Sequence, residues 1–240
     1  MKPTISIIIP AYNEAKSLPK CLNSLVSQKT QHQFEVILVD NNSTDNTSQV
    51  AQTFQSKLNL KIVKETIKGR GSARKTGFDQ ALADLILSTD ADTILPHNWI
   101  EDLTKPFVDP KIVATTGPCK ITDCRPNINQ RFNFLQPKFM HLYRLAYGHY
   151  WLSGFNFAIR KDIYKKSGGF NPHINGLEDI DLGFRVRKLG KIYFCKNLIV
   201  VFSGRRFCHS LLKGSLQYVT SFIKYKYFHS HKIRLEDIRT

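Results

Sequence analysis

No run of apolar residues in this chain approaches the ~18–20 that a membrane-spanning helix requires. The opening Ile5-Ser6-Ile7-Ile8-Ile9 stops at Pro10 with no cleavage site behind it, so it does not read as a secretory leader. Glycine-rich phosphate loops are missing too. No G-x-G-x-x-G follows the first apolar stretch and no G-x-x-x-x-G-K-[ST] occurs anywhere, which argues against dinucleotide-dependent oxidoreductases and P-loop NTPases. The five cysteines (Cys21, Cys119, Cys124, Cys195, Cys208) show no zinc-ligand spacing and no even framework, which predicts reduced structural thiols in a cytoplasmic protein. Prolines are few, 10 in 240 residues, and 42% of residues are hydrophobic. A disordered chain is excluded, and there is room for a substantial core.

Acids are missing most unevenly. Between Leu182 and Leu235 there is no Asp or Glu against 12 Lys and Arg, which supplies most of the formal net charge of +16. Such a basic quarter can face nucleic acid, an anionic membrane surface or a phosphorylated substrate.

What is present is a strand–helix alternation over the first hundred residues. Ile5 to Ile9 is a continuous apolar, β-branched run, as in a strand buried on both faces. Leu18, Cys21, Leu22, Leu25 and Val26 then recur at helical spacing. Strands are predicted at Phe34–Asp40, Lys61–Lys64 and Leu85–Leu87, with helices between them. This βαβαβαβ order implies a mainly parallel α/β sheet with right-handed crossovers. Beyond Trp99 the alternation weakens. Cys119 to Gln136 reads as a polar, irregular loop, Lys138 to Tyr150 as a helix, Ser153 to Arg160 as a strand and Leu182 to Leu189 as a helix.

In such a sheet ligands bind outside the carboxyl ends of the strands, and acids fall there. Asp90-Ala91-Asp92 offers two carboxylates one residue apart, which suit a hard divalent cation with water and phosphate oxygens completing its shell. Alone, the pair reads equally well as a solvated turn. Asp40 suits hydrogen bonds to a ribose or base edge, or an Asx turn. Glu178-Asp179-Ile180-Asp181 stands just before the Leu182 helix, where acids stabilise the dipole. The sharper reading is a general base, which the preceding Gly176 would let approach a substrate.

In order and spacing, several segments resemble the family 2 glycosyltransferases. They are Ser6–Glu14, Val39–Thr47, Gly71–Gly77, Ser88–Thr93, Ser153–Arg160 and Glu178–Leu182. The resemblance implies a GT-A-type three-layer α/β/α sandwich over residues 1–204, with 1–98 holding the nucleotide sugar and 99–204 the acceptor. It implies inverting transfer from a nucleoside-diphosphate sugar, a UDP-sugar above all, to a glycan or lipid-linked acceptor. By position, Pro10, Ala11, Tyr12, Glu14, Asp40, Arg74, Asp90 and Ala91 would bind the donor, and Asp92 would hold Mn²⁺ or Mg²⁺. Asp179 would be the base, with Glu178 the second choice, and Trp151, Gly154, Phe155 and Asn156 would meet the acceptor. The Q-x-x-R-W signature of processive synthases is absent, which favours single-sugar transfer. A non-catalytic nucleotide-sugar or glycan binder and a nucleotidyltransferase are the alternatives.

Residues 205–240 read as a basic helical arm. Leu212, Leu216, Val219 and Ile223 form a stripe among Lys213, Lys224, Lys226, Lys232 and Arg234. Such a helix suits an anionic membrane surface, or it packs on the domain with a solvated basic face. No nucleic-acid recognition motif accompanies it. The expectation is therefore a cytoplasmic enzyme, peripheral on the inner face of the membrane, with no nucleic-acid partner. Arg205 and Arg206 are left either at the donor phosphates or on the surface.

Overall fold

The computed structural model describes residues 3–228. Lys232 and Arg234 of the basic arm lie outside the described residues. The first half alternates β1 (Ile5–Ala11), α1 (Leu18–Val26), β2 (Phe34–Asp40), α2 (Thr47–Gln52), β3 (Leu60–Lys64), α3 (Arg70–Gln80) and β4 (Leu85–Ser88). The second half runs α4 (Trp99–Thr104), β5 (Ile112–Thr116), β6 (Cys119–Lys120), α5 (Pro126–Tyr147), β7 (Phe157–Arg160) and α6 (Lys161–Lys166). It ends with α7 (Glu178–Val186), β8 (Lys191–Phe194), β9 (Val200–Val201) and α8 (Leu211–Phe228).

Seven strands form one sheet in the order β3-β2-β1-β4-β7-β5-β8, and β6 pairs with β9 in a small second sheet. β1 pairs in parallel with both β2 and β4, whereas β7 runs antiparallel between β4 and β5. Side chains of β1 alternate across the sheet as the pleat requires. Ile5, Ile7 and Ile9 join a core with α1 and α4, and Ile8 joins a second core with Phe78, Phe157 and Leu182. Helices thus cover both faces, giving the three-layer α/β/α sandwich.

The stretch read as an irregular loop is corrected: α5 starts at Pro126 and runs 22 residues to Gly148, whose φ of 77° ends it. Proline suits a first helical turn and a left-handed glycine suits a helix end. The asparagines that look loop-forming pair with the backbone of the extended segment before the helix. Asn133 accepts from the Ile121 N–H at 2.8 Å and donates to its carbonyl at 3.1 Å, and Asn129 does the same with Cys124 at 3.2 and 3.0 Å. Gln136 accepts from the Cys119 N–H. Side-chain amides here do for an extended segment what a neighbouring strand would do.

Three further expectations are corrected. The strand placed over 153–160 is confined to β7, because Ser153–Asn156 is a turn closed by the Asn156 N–H to the Ser153 carbonyl at 2.7 Å. The helix placed from Leu182 begins at Glu178, so the acids occupy its first turn. Cys124 and Cys208 form a disulfide spanning 84 residues, while Cys21, Cys119 and Cys195 are free. A reducing cytoplasm disfavours such a bond, so the expectation of five thiols fails at this pair.

The segment after Gly204 is fastened to the sandwich. Phe207 is buried in the main core and packs on Phe132 at 4.8 Å between centroids. α8 lies against α5 through Phe222, 5.5 Å from Tyr147 and 6.2 Å from Tyr143. The Tyr225 hydroxyl donates to Asp181 at 2.6 Å. The stripe Leu212, Leu216, Val219 and Ile223 is exposed. No helix among the described residues is long and apolar enough to cross a membrane.

Candidate active site

β1 and β4 finish side by side, and the chain leaves both strands at one rim of the sheet. There a cavity of about 1010 Å³ opens, walled by the ends of these strands, the start of α3, the first turn of α7, α5 and α8. Of the residues expected at the site, Pro10, Ala11, Tyr12, Glu14, Arg74, Asp90, Ala91, Asp92, Trp151, Gly154, Phe155, Glu178 and Asp179 line it. Asp40 and Asn156 do not.

Their exclusion has a physical cause. Asp40 closes the turn after β2, accepting from the Ser43 N–H at 3.0 Å and from the Ser48 hydroxyl. Its neighbour Asn41 lines the cavity instead and accepts from the Gly69 N–H at 2.7 Å, holding the loop that enters α3. Asn156 is fully buried. Its amide accepts from the Trp99 indole at 2.9 Å and donates to the Pro118 carbonyl at 3.1 Å, so it braces the layers beneath the site.

Two arginines organise the acids. Arg74, buried on α3, pairs with Glu178 and, at 2.6 Å, with Asp90. The charges of Asp90 and Glu178 outweigh its burial and keep it protonated. Arg205 bridges Glu14 and Asp92, each at 2.6 Å. It comes from the segment after β9, where Asp123 accepts from the Gly204 N–H at 2.8 Å and the Cys124–Cys208 disulfide follows. Burial pushes the Asp92 carboxyl above the usual range, against the pull of Arg205, and the charges of Asp90 and Glu14 add to the rise.

On the other side of the Arg74 guanidinium from Asp90, Glu178 and its neighbour Asp179 diverge in role. Glu178 is spent: one oxygen pairs with Arg74 and the other accepts from the Gly176 N–H at 2.8 Å. Asp179 stays partly open to the cavity. It accepts from the Gly154 N–H at 2.8 Å and from the Ile180 N–H at 2.8 Å. Burial, then the Glu178 charge, pushes its carboxyl up to about 6, a value suited to taking a proton near neutrality. Gly154 leaves room for the Arg74 and Asp179 side chains. A Cβ would lie 2.5 Å from an Arg74 nitrogen and 3.1 Å from an Asp179 oxygen.

Glu14, Asp90 and Asp92 offer the hard oxygen donors that a divalent cation takes. The guanidinium between Glu14 and Asp92 shows that this spot already draws a cation. Their oxygens do not all converge within 4.8 Å; among the described residues only Asp123, Cys124 and Cys208 do so, and the two sulfurs there are bonded together. The acids therefore fit an ion held by one or two carboxylates with a diphosphate completing its shell.

Sequence reasoning missed several wall residues. Tyr143 of α5 has a buried hydroxyl with no partner among the described residues. Lys68 donates to the Tyr12 hydroxyl at 2.8 Å, and Asn175 accepts from the Arg70 N–H at 3.0 Å. Tyr143 falls in the helix predicted over Lys138–Tyr150, where an aromatic side chain reads as core packing. The other three carry no local pattern that distinguishes them.

Residues 6–168 match the family described as Glycosyl transferase family 2. The probable glycosyltransferase YdaM of Bacillus subtilis is 29% identical over 202 residues, 78% of this chain and 47% of that protein. The mannosyltransferase PcManGT of Pyrobaculum calidifontis, solved with GDP-Man and Mn²⁺, superposes with a TM-score of 0.69. It is 22% identical, over 92% of this chain and 65% of its own. Staphylococcus aureus TarS residues 1–349 in complex with UDP-GlcNAc gives 0.62 at 25% identity, over 85% and 56%. The chain spans half or less of the length of the curated relatives it matches.

Proposed function

The chain belongs to glycosyl transferase family 2, and from that footing we propose that it moves a single sugar from a nucleoside-diphosphate sugar to a hydroxyl acceptor with inversion. The observation that carries this reading is the meeting in one cavity of Glu14, Asp90, Asp92 and Arg205 with the partly open carboxylate of Asp179, joined by Arg74, which pairs with both Asp90 and Glu178. The nucleoside would lie along Pro10–Tyr12 and Asn41. The complexes of structural neighbours with UDP-GlcNAc and GDP-Man support a nucleotide-sugar donor; a UDP-sugar is the reading adopted here.

Asp179 accepts the proton as the acceptor oxygen bonds to the anomeric carbon and the carbon–phosphate oxygen bond breaks. The nucleoside diphosphate departs. Both hydrogen bonds to Asp179 come from backbone N–H groups, so the carboxylate is aimed while it gains the proton. Glu178 keeps Arg74 in place, and Arg74 and Arg205 hold donor oxygens by charge-assisted hydrogen bonds. Asp92, with Glu14 and Asp90 beside it, would hold Mn²⁺ or Mg²⁺, which supplies Lewis-acid stabilisation of the leaving diphosphate. Trp151 and Phe155 flank Gly154 at the wall where the acceptor sugar, free or lipid-linked, would lie.

A thermal-shift panel of UDP- and GDP-sugars with and without Mn²⁺ tests donor binding, since a ligand of the native state raises its stability. Asp179→Asn should retain the donor shift and lose transfer by about 10²–10⁴-fold. Unchanged turnover would remove Asp179 as the base. No shift with any nucleotide or nucleotide sugar would remove the donor reading.

A further inference from the structure

The carboxylates of the cavity gather at one end. On α5 and α8 its walls are largely apolar, with Leu135, Phe139, Leu142, Leu211, Val219 and Phe222 set among the polar Gln136, Tyr143, Ser215 and Tyr218. The aliphatic Leu135, Leu142, Leu211 and Val219 offer a sugar's hydroxyl groups no hydrogen-bond partner. The apolar lining continues outward. Phe134 and Leu145 on α5 and Leu212, Leu216 and Ile223 on α8 are all exposed, Leu145 at 78% and Leu212 at 77%. Exposed apolar patches of this extent mark interaction surfaces.

The charge on the two helices names the partner. Together α5 and α8 carry Arg131, Lys138, Arg144, Lys213, Lys224 and Lys226, and neither helix contains an acid. Basic side chains among exposed apolar ones suit an interface of anionic headgroups over hydrocarbon. A protein partner would not need the apolar path to run on into the catalytic cavity.

We propose that the groove between α5 and α8 seats the hydrocarbon chain of a lipid-linked acceptor, taken from an anionic bilayer on which the outer faces of the two helices rest. This deepens the glycosyltransferase reading and rests on it. The acceptor's head would reach Asp179 while its chain leaves between Leu142 and Val219 towards the bilayer.

Flotation of the full chain with vesicles of phosphatidylcholine alone, or of phosphatidylcholine with phosphatidylglycerol, tests the surface. The chain should float with the anionic vesicles, less so at raised salt, and not with phosphatidylcholine alone. Exchanging Lys213 and Lys224 for Gln should weaken that partition about 30-fold, at roughly 1 kcal/mol for each basic residue near the surface. Leu212→Asp with Leu216→Asp should abolish flotation, and a retained thermal shift with the donor sugar shows that this variant is folded.

Hexyl and octyl β-glucoside below their micelle concentrations test the groove. Two added methylenes should tighten binding about 15-fold, and Val219→Asp should flatten that dependence. Equal behaviour with the two vesicle types, affinity independent of chain length, or a stable dimer by light scattering that does not float would overturn the proposal. Flotation and chain-length dependence without any donor shift would leave the lipid site standing and remove the transferase reading, so the two fail separately.

Discussion

Reducing the Cys124–Cys208 disulfide should lower the melting temperature by about 9 °C. The bond closes a loop whose ends are 84 residues apart. Opening it returns roughly 15 cal/mol/K of loop-closure entropy to the unfolded chain, about 4.5 kcal/mol at 25 °C. A 240-residue chain unfolds with an entropy near 0.5 kcal/mol/K, taking about 2.1 cal/mol/K per residue, so that energy corresponds to about 9 °C. Residual structure in the unfolded chain makes this an upper figure. Differential scanning fluorimetry with and without dithiothreitol measures it, and a thiol count after denaturation controls it. The oxidised chain should yield three thiols and the reduced chain five. A variant with both Cys124→Ser and Cys208→Ser should melt like the reduced protein and ignore reductant. Five thiols with a shift below about 2 °C would refute the loop-closure account; five thiols before any reductant would refute the bond itself.

The acid limb of the pH profile should fall on Asp179. It accepts a proton only when ionised, so kcat/KM should drop as pH falls through about 6. Its folded value lies above the unfolded one, so the group favours the fold at low pH and that contribution is lost as pH rises through about 6. Circular dichroism should therefore stay native across the limb, and a limb near the ordinary carboxylate value would contradict the assignment. Gly154→Ala pushes a methyl into Arg74 and Asp179; transfer should fall about 10²-fold, as for a misplacement near 1 Å. Unchanged kinetics would show that the contact relaxes freely. Arg74→Met leaves Glu178 and Asp90 without their buried cation and should cost about 3–5 kcal/mol, visible in urea denaturation. Wild-type stability in that variant would mean the acids find other partners.

The half of the fold that pairs in parallel was legible because its strands are buried runs that end in acids. Burial writes itself into local composition at Ile5–Ile9 and Phe34–Asp40, and the ligand-facing rim follows from topology. Helix α5 was not legible over its first three turns. Asn133 and Gln136 satisfy backbone groups 12 and 17 residues back, at Ile121 and Cys119, and local propensity carries no trace of that. The same holds at the site. Asp90, Asp92 and Asp179 stood at strand and helix ends, where chemistry is expected. Asn156 sat inside a plausible motif, yet it braces Trp99 and Pro118. Arg205 acquires its place from a disulfide and from Asp123, both distant in sequence from Glu14 and Asp92.

The bridge from Arg205 to Glu14 and Asp92 makes the resting site an ion exchanger. Its two carboxylates share one guanidinium held at 2.6 Å from each, so a bare cation competes with a resident charge and brings no anion for it. A cation that arrives on a diphosphate brings that anion with it. The displaced guanidinium can then turn from carboxylate to phosphate, and the number of paired charges is conserved. On the proposed donor reading, the order in which these charges change partners would favour the loaded donor over its separate parts.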